Sequence, residues 1–213
     1  MTRVRVHNLM MSLDGFVAGP DQSLDAPKGV GGERLHPWVF ATAFGQRMLG
    51  QDGGTEGIDN EFLLSGEEGI GATVMGRNMF GPVRGPWPDD SWTGWWGDEP
   101  PYHHPVFVLT HHPRPPLTMA GGTTFTFVTE GPAAALELAS AAADGRDVRI
   151  GGGAATVRAY LEAGVVDHLH LAVVPTLLGS GERVFDGTAS QLDGYDRVDV
   201  TGSEGVAHVV FDR

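Results

Sequence analysis

The chain has 213 residues, a formal net charge of −13, 41% hydrophobic residues and no cysteine. The acidic charge argues against nucleic acid or an anionic membrane as a partner, and the missing cysteines exclude disulfides and thiolate metal sites. No window approaches the ~18 apolar residues of a membrane helix, and the composition suits a cytoplasmic protein. We therefore expect one domain, residues 1–213, with a full core.

The chain opens with an apolar run, Val4 to Met11, that is typical of a first strand. A turn at Asp14-Gly15 breaks it, and the strand resumes through Phe16-Val17-Ala18. Asp14 either caps this turn with its own side chain or faces a substrate or cofactor.

Helices are predicted next. Pro37 suits the first turn of a helix whose apolar residues, from Trp38 through Phe44 to Met48, repeat at helical spacing. A second, capped helix is expected to begin near Asp59 and to run towards Gly69.

A short buried strand, Ala72 to Met75, leads directly into Gly76-Arg77-Asn78. Ligands bind to open α/β sheets beyond the carboxyl ends of the strands, and a guanidinium there can hold a phosphate through two parallel hydrogen bonds. An arginine after a strand can equally well cover the surface.

The segment from Gly81 to Pro105 holds four of the five tryptophans and six of the fourteen prolines. This proline content excludes a long helix or a central strand. The indole rings must still be buried against something. Either the segment packs over its own domain, or it forms the wall of a substrate site or a dimer contact.

The run from Val106 to Thr110 is a strong strand, with His103 and His104 before it and His111 and His112 after it. Imidazoles can bind zinc, but neighbouring residues of an extended chain point to opposite sides. A histidine-rich metal protein is therefore the weakest alternative. Thr110 and His111 could instead donate hydrogen bonds to a phosphate.

A half-buried strand, Thr124 to Val128, precedes an alanine-rich helix, Pro132 to Ala143. Next, an apolar run containing Ile150 meets three glycines, and Ala154, Val157 and Leu161 follow at helical spacing. Strand, glycine turn and helix N-terminus together favour a bound phosphate, although the glycines could merely permit close packing.

The remaining chain is rich in strands: Val166 to Val174, Arg183 to Phe185, Tyr195 to Val200 and Val206 to Phe211, with the last two forming an antiparallel hairpin. The sequence thus predicts an α/β fold with a central, mostly parallel sheet, flanking helices and antiparallel C-terminal strands. The ends of its strands could share one crevice that holds a dinucleotide.

The sequence resembles the dihydrofolate reductase-like family, and within it the branch that contains the RibD C-terminal domain of riboflavin biosynthesis. The residues that carry the resemblance span nearly the whole chain: Ser12 to Ala18, Val74 to Arg77, Leu109-Thr110, Ile150 to Gly153, Leu169 to Leu171, Pro175 and Leu178 to Gly181.

The resemblance implies a homodimeric NADPH-dependent reductase that passes a hydride to a C=N or C=O group of a small, pyrimidine- or pterin-like substrate. Asp14 or an ordered water is the candidate proton source. No carboxylate matches the one that folate enzymes place under the pteridine, so folate reduction is not expected. The rival is a nucleotide-binding protein without turnover.

The implied cofactor contacts are Val17 and Ala18 for the nicotinamide; Gly76, Arg77, Asn78, Thr110 and His111 for the adenosine phosphate; and Gly151, Gly152, Gly153, Ala154, Ala155 and Thr156 for the pyrophosphate.

Overall fold

The structure is a computed structural model that describes residues 2–81, 84–185 and 189–213. Its strands are β1 (Val4–Ser12), β2 (Phe16–Ala18), β3 (Ile70–Gly76), β4 (Pro105–Leu109), β5 (Leu117–Thr118), β6 (Thr124–Val128), β7 (Asp147–Gly152), β8 (His168–Val174), β9 (Glu182–Arg183), β10 (Asp196–Gly202) and β11 (Ala207–Asp212). Its helices are α1 (Pro37–Ala41), α2 (Ala43–Met48), α3 (Ile58–Glu67), α4 (Arg77–Phe80), α5 (Pro132–Ala142) and α6 (Ala154–Glu162).

The chain divides into two compact units. The first comprises Met1–Val6, Ser23–Pro27 and Gly69–Asp167, and the second comprises His7–Gln22, Lys28–Glu68 and His168–Arg213. The first six residues and the rest of β1 thus belong to different units. Among the described residues, no helix is long and apolar enough to cross a membrane.

The first unit contains the parallel part of the predicted sheet. Its strands follow the order β1-β7-β3-β4-β6-β5, and all neighbours are parallel except β5, which is antiparallel to β6. Every residue of β3 is buried, as expected for a central strand covered on both faces. Helix α5 contacts β3 and β4, and α6 contacts β7 and β3.

The tryptophan-rich segment packs over the core of this first unit. Trp87, Trp92 and Trp96 lie against a buried cluster that includes Phe80 and Phe125. The indole N–H of Trp92 donates to the carbonyl oxygen of Phe80 at 2.9 Å, so this ring buries its apolar body without leaving its polar group unpaired. The first of the two alternatives, packing over its own domain, therefore applies to these three rings. Pro82 and Val83 lie outside the described residues.

The second unit contains the antiparallel strands. Its sheet runs β10-β11-β8-β1, and both the β10–β11 hairpin and the β11–β8 pair are antiparallel. The predicted α/β class with antiparallel C-terminal strands is therefore confirmed. A separate small pair joins β2 to β9.

The helical region of the second unit differs from prediction in one respect. The single helix expected from Trp38 to Met48 is wrong, because an extended residue, Thr42, separates α1 from α2. The hydroxyl oxygen of Thr42 accepts a hydrogen bond from the backbone N–H of Gly45 at 3.0 Å. A threonine in this role starts a new helix instead of continuing the old one.

Helix α3 begins at Ile58, after Gly57, and no side chain caps it. Asp59 is used elsewhere: its carboxylate oxygens lie 2.9 Å from the ring Nε2 of His208 and 2.9 Å from the hydroxyl of Ser203. The other ring nitrogen of His208 lies 2.9 Å from Nε2 of His170, whose Nδ1 lies 3.0 Å from the amide oxygen of Asn8. Two buried histidines thus form a continuous hydrogen-bonded chain.

Candidate functional site

Three strand ends form one edge of the first unit's sheet. Parallel register places Gly76 of β3 beside Leu109 of β4, and Met75 beside Gly152 of β7. The structure therefore brings together three of the predicted cofactor segments: residues 76–78, residues 110–111 and residues 151–156. This is the edge at which open α/β sheets bind ligands.

The triple glycine forms the turn between β7 and α6. Gly152 has a φ of 126°, a backbone conformation that strongly favours glycine. Gly153 is the N-cap of α6 and no side chain caps the helix, so the first N–H groups of Ala154, Ala155 and Thr156 face no capping side chain. An uncapped helix N-terminus after a glycine turn suits a pyrophosphate.

Gly76 is required where β3 approaches α6. A Cβ at this position would lie 2.5 Å from the hydroxyl oxygen of Thr156 and 3.5 Å from the backbone nitrogen of Gly153. A side chain here would push the start of α4 and the start of α6 apart. The glycine before Arg77 is therefore explained by close approach of two elements.

Arg77 is positioned by the start of α4. Its Nη1 donates to the carbonyl oxygen of Gly85 at 3.1 Å and to the hydroxyl of Thr110 at 3.4 Å, while its Nε and Nη2 are buried without a hydrogen-bond partner. Burial, and secondarily the charge of Arg114, lower the pKa of Arg77. Two buried guanidinium N–H donors without an acceptor suit a bound anion.

The neighbours of Arg77 have separate roles. With its amide oxygen turned towards Arg84, Asn78 accepts two hydrogen bonds from that guanidinium. Thr110 is buried and its hydroxyl oxygen accepts from the backbone N–H of His112 at 3.1 Å. His111 is exposed at the same turn.

Sequence reasoning missed two residues of this site, Trp87 and Arg114. The Cζ of Arg77 lies 3.2 Å from the centroid of the Trp87 ring, and the Cζ of Arg114 lies 4.9 Å from it. The indole N–H of Trp87 donates to the carbonyl oxygen of His112 at 2.9 Å. For Arg114 the signal in the sequence was its short distance from the end of a strand, and for Trp87 it was the tryptophan-rich segment, one interpretation of which was a site wall.

Asp14 lies in the second unit, in the turn between β1 and β2. It accepts a hydrogen bond from the hydroxyl of Ser12 at 2.6 Å and from the backbone N–H groups of Leu178 and Gly179 at 3.1 and 2.7 Å. The Ser12 hydroxyl, with help from the two N–H groups, lowers the pKa of Asp14 to about 2. A carboxylate with this pKa is ionised at neutral pH and has no proton to donate. The geometry favours the capping alternative.

Val17 and Ala18, the predicted nicotinamide contacts, also lie in the second unit. Both are partly exposed residues of β2, and Ala18 pairs with Glu182 of β9. Their assignment to the nicotinamide stays a prediction.

The replacement Asp14→Asn tests the capping role. We expect a lower Tm at pH 7, because the amide accepts fewer of the three hydrogen bonds. The difference from wild type should shrink as the pH falls from about 4 towards 2, where the native carboxylate takes up its proton. Thermal unfolding at several pH values measures this. A Tm that is the same in variant and wild type at pH 7 would contradict the capping role.

The two histidines that precede β4 have ordinary hydrogen-bond partners. The Nε2 of His104 lies 2.8 Å from the hydroxyl of Thr73, and the Nδ1 of His103 lies 2.8 Å from the carbonyl oxygen of Gly121. Over the described part of the chain, no group of three or more histidines and carboxylates could hold a metal ion.

Comparison with solved structures defines the class of fold. A protein from Shewanella sp. PV-4 assigned to riboflavin biosynthesis superposes with a TM-score of 0.59 at 20% identity, covering 100% of this chain and 99% of that one. Dihydrofolate reductase from Enterococcus faecalis, solved with NADP(H), gives 0.50 at 15% identity, covering 100% and 96%. The Thermotoga maritima diaminohydroxyphosphoribosylaminopyrimidine deaminase/5-amino-6-(5-phosphoribosylamino)uracil reductase gives 0.55 at 12% identity, covering 99% of this chain and 56% of that one. The chain thus has the dihydrofolate reductase-like fold.

The sequence also matches the RibD C-terminal domain family over residues 5–207. The chain therefore belongs to the RibD C-terminal domain family, a family of reductases, and the predicted resemblance is confirmed. No curated protein matches the sequence.

Proposed function

We propose that this protein is an NADPH-dependent oxidoreductase that transfers a hydride to a C=N or C=O carbon of a small pyrimidine- or pterin-like substrate. The reaction would be similar to that of 5-amino-6-(5-phosphoribosylamino)uracil reductase, an activity named for the Thermotoga maritima relative. The family's homodimeric state and a cytoplasmic location complete the proposal.

The observation that carries the proposal is the shared edge of β3, β4 and β7. An uncapped helix N-terminus behind three glycines and a half-buried arginine with two buried, unpartnered nitrogens lie there together. The helix N-terminus suits a pyrophosphate, and the arginine suits a further phosphate. NADPH carries both groups, whereas NADH lacks the phosphate on the adenosine ribose.

Different residues of the chain would bind different parts of the cofactor. NADPH supplies the hydride when it is bound. The N–H groups of Ala154, Ala155 and Thr156 would hold the pyrophosphate, and Arg77 with Thr110 would bind the adenosine phosphate. These contacts fix the position of the cofactor, which is the protein's main contribution to a hydride transfer.

Calorimetric titration with NADPH and NADH tests the cofactor assignment. We expect NADPH to bind at least about 100-fold more tightly, since a charge-assisted, bidentate contact typically contributes about 1.5–3 kcal/mol per hydrogen bond. A matched assay follows NADPH oxidation in the presence of aminopyrimidine, pterin and imine substrates. Equal affinity for both nucleotides would contradict the assignment.

One observation favours the alternative of a nucleotide-binding protein without turnover. Asp14, the only side chain predicted to supply a proton, is held in its ionised form by three hydrogen bonds. NADPH binding without oxidation above background, across the same substrates, would select this alternative.

A further inference from the structure

Two arginines of the first unit lie against one tryptophan. Arg77 comes from the turn after β3, and Arg114 comes from the segment after β4. The Trp87 ring centroid lies 3.2 Å from the Cζ of Arg77 and 4.9 Å from that of Arg114. Phe127 and Phe80 also lie near Arg114, at 5.2 and 5.9 Å from its Cζ. Both guanidinium groups are therefore held in apolar, aromatic surroundings.

The hydrogen-bonding capacity of this pair is incompletely satisfied. Arg114 is 7% exposed, and the carboxylate that it contacts is Asp90, whose Oδ1 lies 3.3 Å from its Nε. Hydrogen bonds from Ser91, and secondarily the charge of Arg114, lower the pKa of Asp89. The contacts of Arg77 are to a carbonyl and a hydroxyl, which are uncharged. The Nη1 of Arg114 and the Nε and Nη2 of Arg77 are buried without hydrogen-bond partners. Burying cationic donors without acceptors raises the free energy of the folded protein, and a bound anion would satisfy these donors.

A single short segment, residues 85–90, makes most of the contacts to both arginines. We call it the covering segment. Its Gly85 carbonyl accepts from Arg77 at 3.1 Å, its Trp87 stacks on the same guanidinium, and the backbone carbonyl of its Asp90 accepts from Nη2 of Arg114 at 2.6 Å. The side chain of Asp90 is 70% exposed, so its ion pair with Arg114 is open to competition from solvent and from other anions.

We propose that Arg77 and Arg114 together form one binding site for a phosphate monoester, which the covering segment occupies until the phosphate displaces it. Asp90 acts as the internal competitor, because its carboxylate takes the place of the incoming anion on Arg114. The identity of the phosphate as that of the NADPH ribose rests on the proposed function. The two-arginine site itself does not, since any phosphate monoester or free phosphate has the same chemistry.

The replacement Asp90→Asn gives the sharpest test, because it is expected to increase the affinity for a phosphate monoester. Binding of 2′-AMP, measured by calorimetry, should become about two- to fivefold tighter when the competing carboxylate is removed. Asp98→Asn is the matched control: it makes the same charge change at an exposed carboxylate of the same unit. Its affinity should stay within about twofold of wild type. Arg114→Gln should weaken binding by at least about tenfold.

Fluorescence reports on the covering segment directly. Adding 2′-AMP should change the tryptophan emission of the wild type, because Trp87 leaves the guanidinium of Arg77. In Trp87→Phe the emission change should be lost while calorimetric binding persists. If Asp90→Asn fails to tighten binding relative to Asp98→Asn, or if Arg114→Gln leaves affinity unchanged, the proposed site is overturned and Arg114 serves only to anchor the segment.

The outcomes separate this inference from the proposed function. NADPH binding that depends on Arg77 and is indifferent to Arg114 and Asp90 would overturn the two-arginine site and leave the reductase proposal intact. Binding of 2′-AMP and of inorganic phosphate that follows Arg114 and Asp90, without any binding of NADPH, would support the site and contradict the reductase. If inorganic phosphate binds as tightly as 2′-AMP, the site recognises the phosphate alone, without its nucleoside.

Discussion

The replacement Arg77→Ala is expected to weaken NADPH binding by at least about 100-fold and to change NADH binding by less than about threefold. Arg77 has two buried nitrogens without acceptors, and a charged, bidentate contact to a phosphate typically contributes about 3 kcal/mol or more in total. NADH does not carry the phosphate that would use these nitrogens. Calorimetric titration of both nucleotides against wild type and variant measures the difference.

A matched control removes the same charge from another place. Arg47 is an exposed residue of α2 in the second unit, and Arg47→Ala should leave both affinities unchanged. Arg77→Lys should recover only part of the loss, because an ammonium cannot form the two parallel hydrogen bonds of a guanidinium. An equal loss of NADPH and NADH affinity in Arg77→Ala would mean that the residue supports the turn without binding a phosphate.

The second large effect that we expect is a loss of folding stability on acidification. Burial, and secondarily neighbouring positive charge, lowers the pKa of His36 and of His104 to about 4, while burial with its histidine neighbours lowers that of His170 to about 2. All three are thus neutral in the folded protein at pH 5, whereas in the unfolded chain they titrate near their ordinary pKa of about 6.5.

The sign of the effect follows from proton binding. Between about pH 6.5 and 4 the unfolded chain binds more protons than the folded protein, so the free energy of unfolding falls as the pH falls. At pH 5 each fully shifted histidine would cost about 2 kcal/mol relative to its contribution above pH 7. Urea unfolding at pH 7 and pH 5 should therefore show a loss of several kcal/mol.

A pair of variants checks the origin of this loss. His104→Gln retains a hydrogen-bonding group for Thr73 and cannot take up a proton, so its stability should fall less between pH 7 and pH 5 than that of wild type. The exposed His111→Gln should behave like wild type. A loss of stability that is the same in all three proteins would show that His104 does not cause it.

Local patterns in the sequence were sufficient to predict that three of the proposed cofactor segments lie at one edge of the sheet. The triple glycine, the Gly76-Arg77 pair and Thr110 each directly follow an apolar strand, and parallel strands gather such ends on one side. Thr42 shows where this reasoning failed. Apolar spacing continues across it, and only the hydrogen bond that its hydroxyl oxygen accepts from the backbone N–H of Gly45 reveals that one helix ends and another begins.

The contacts that could not be predicted join residues far apart in the sequence. Arg114 meets Asp90 and Trp87 because of how an irregular, proline-rich segment folds back, and no periodicity encodes that path. The chain from Asn8 through His170 and His208 to Asp59 is of the same kind. The alternation of β8 predicts that His168 and His170 share a face, but it does not predict which elements lie opposite them.

The position of β1 determines when each unit can form during synthesis. The backbone of Arg3 bonds to Asp147, 144 residues later, and Asn8 bonds to His170, 162 residues later. Closing such long loops precedes any gain from the contacts, which slows folding. A ribosome must therefore complete most of the chain before β1 gains its neighbours. Until then this apolar strand exposes unpaired edges, and chaperone binding to the nascent chain is expected to concentrate there.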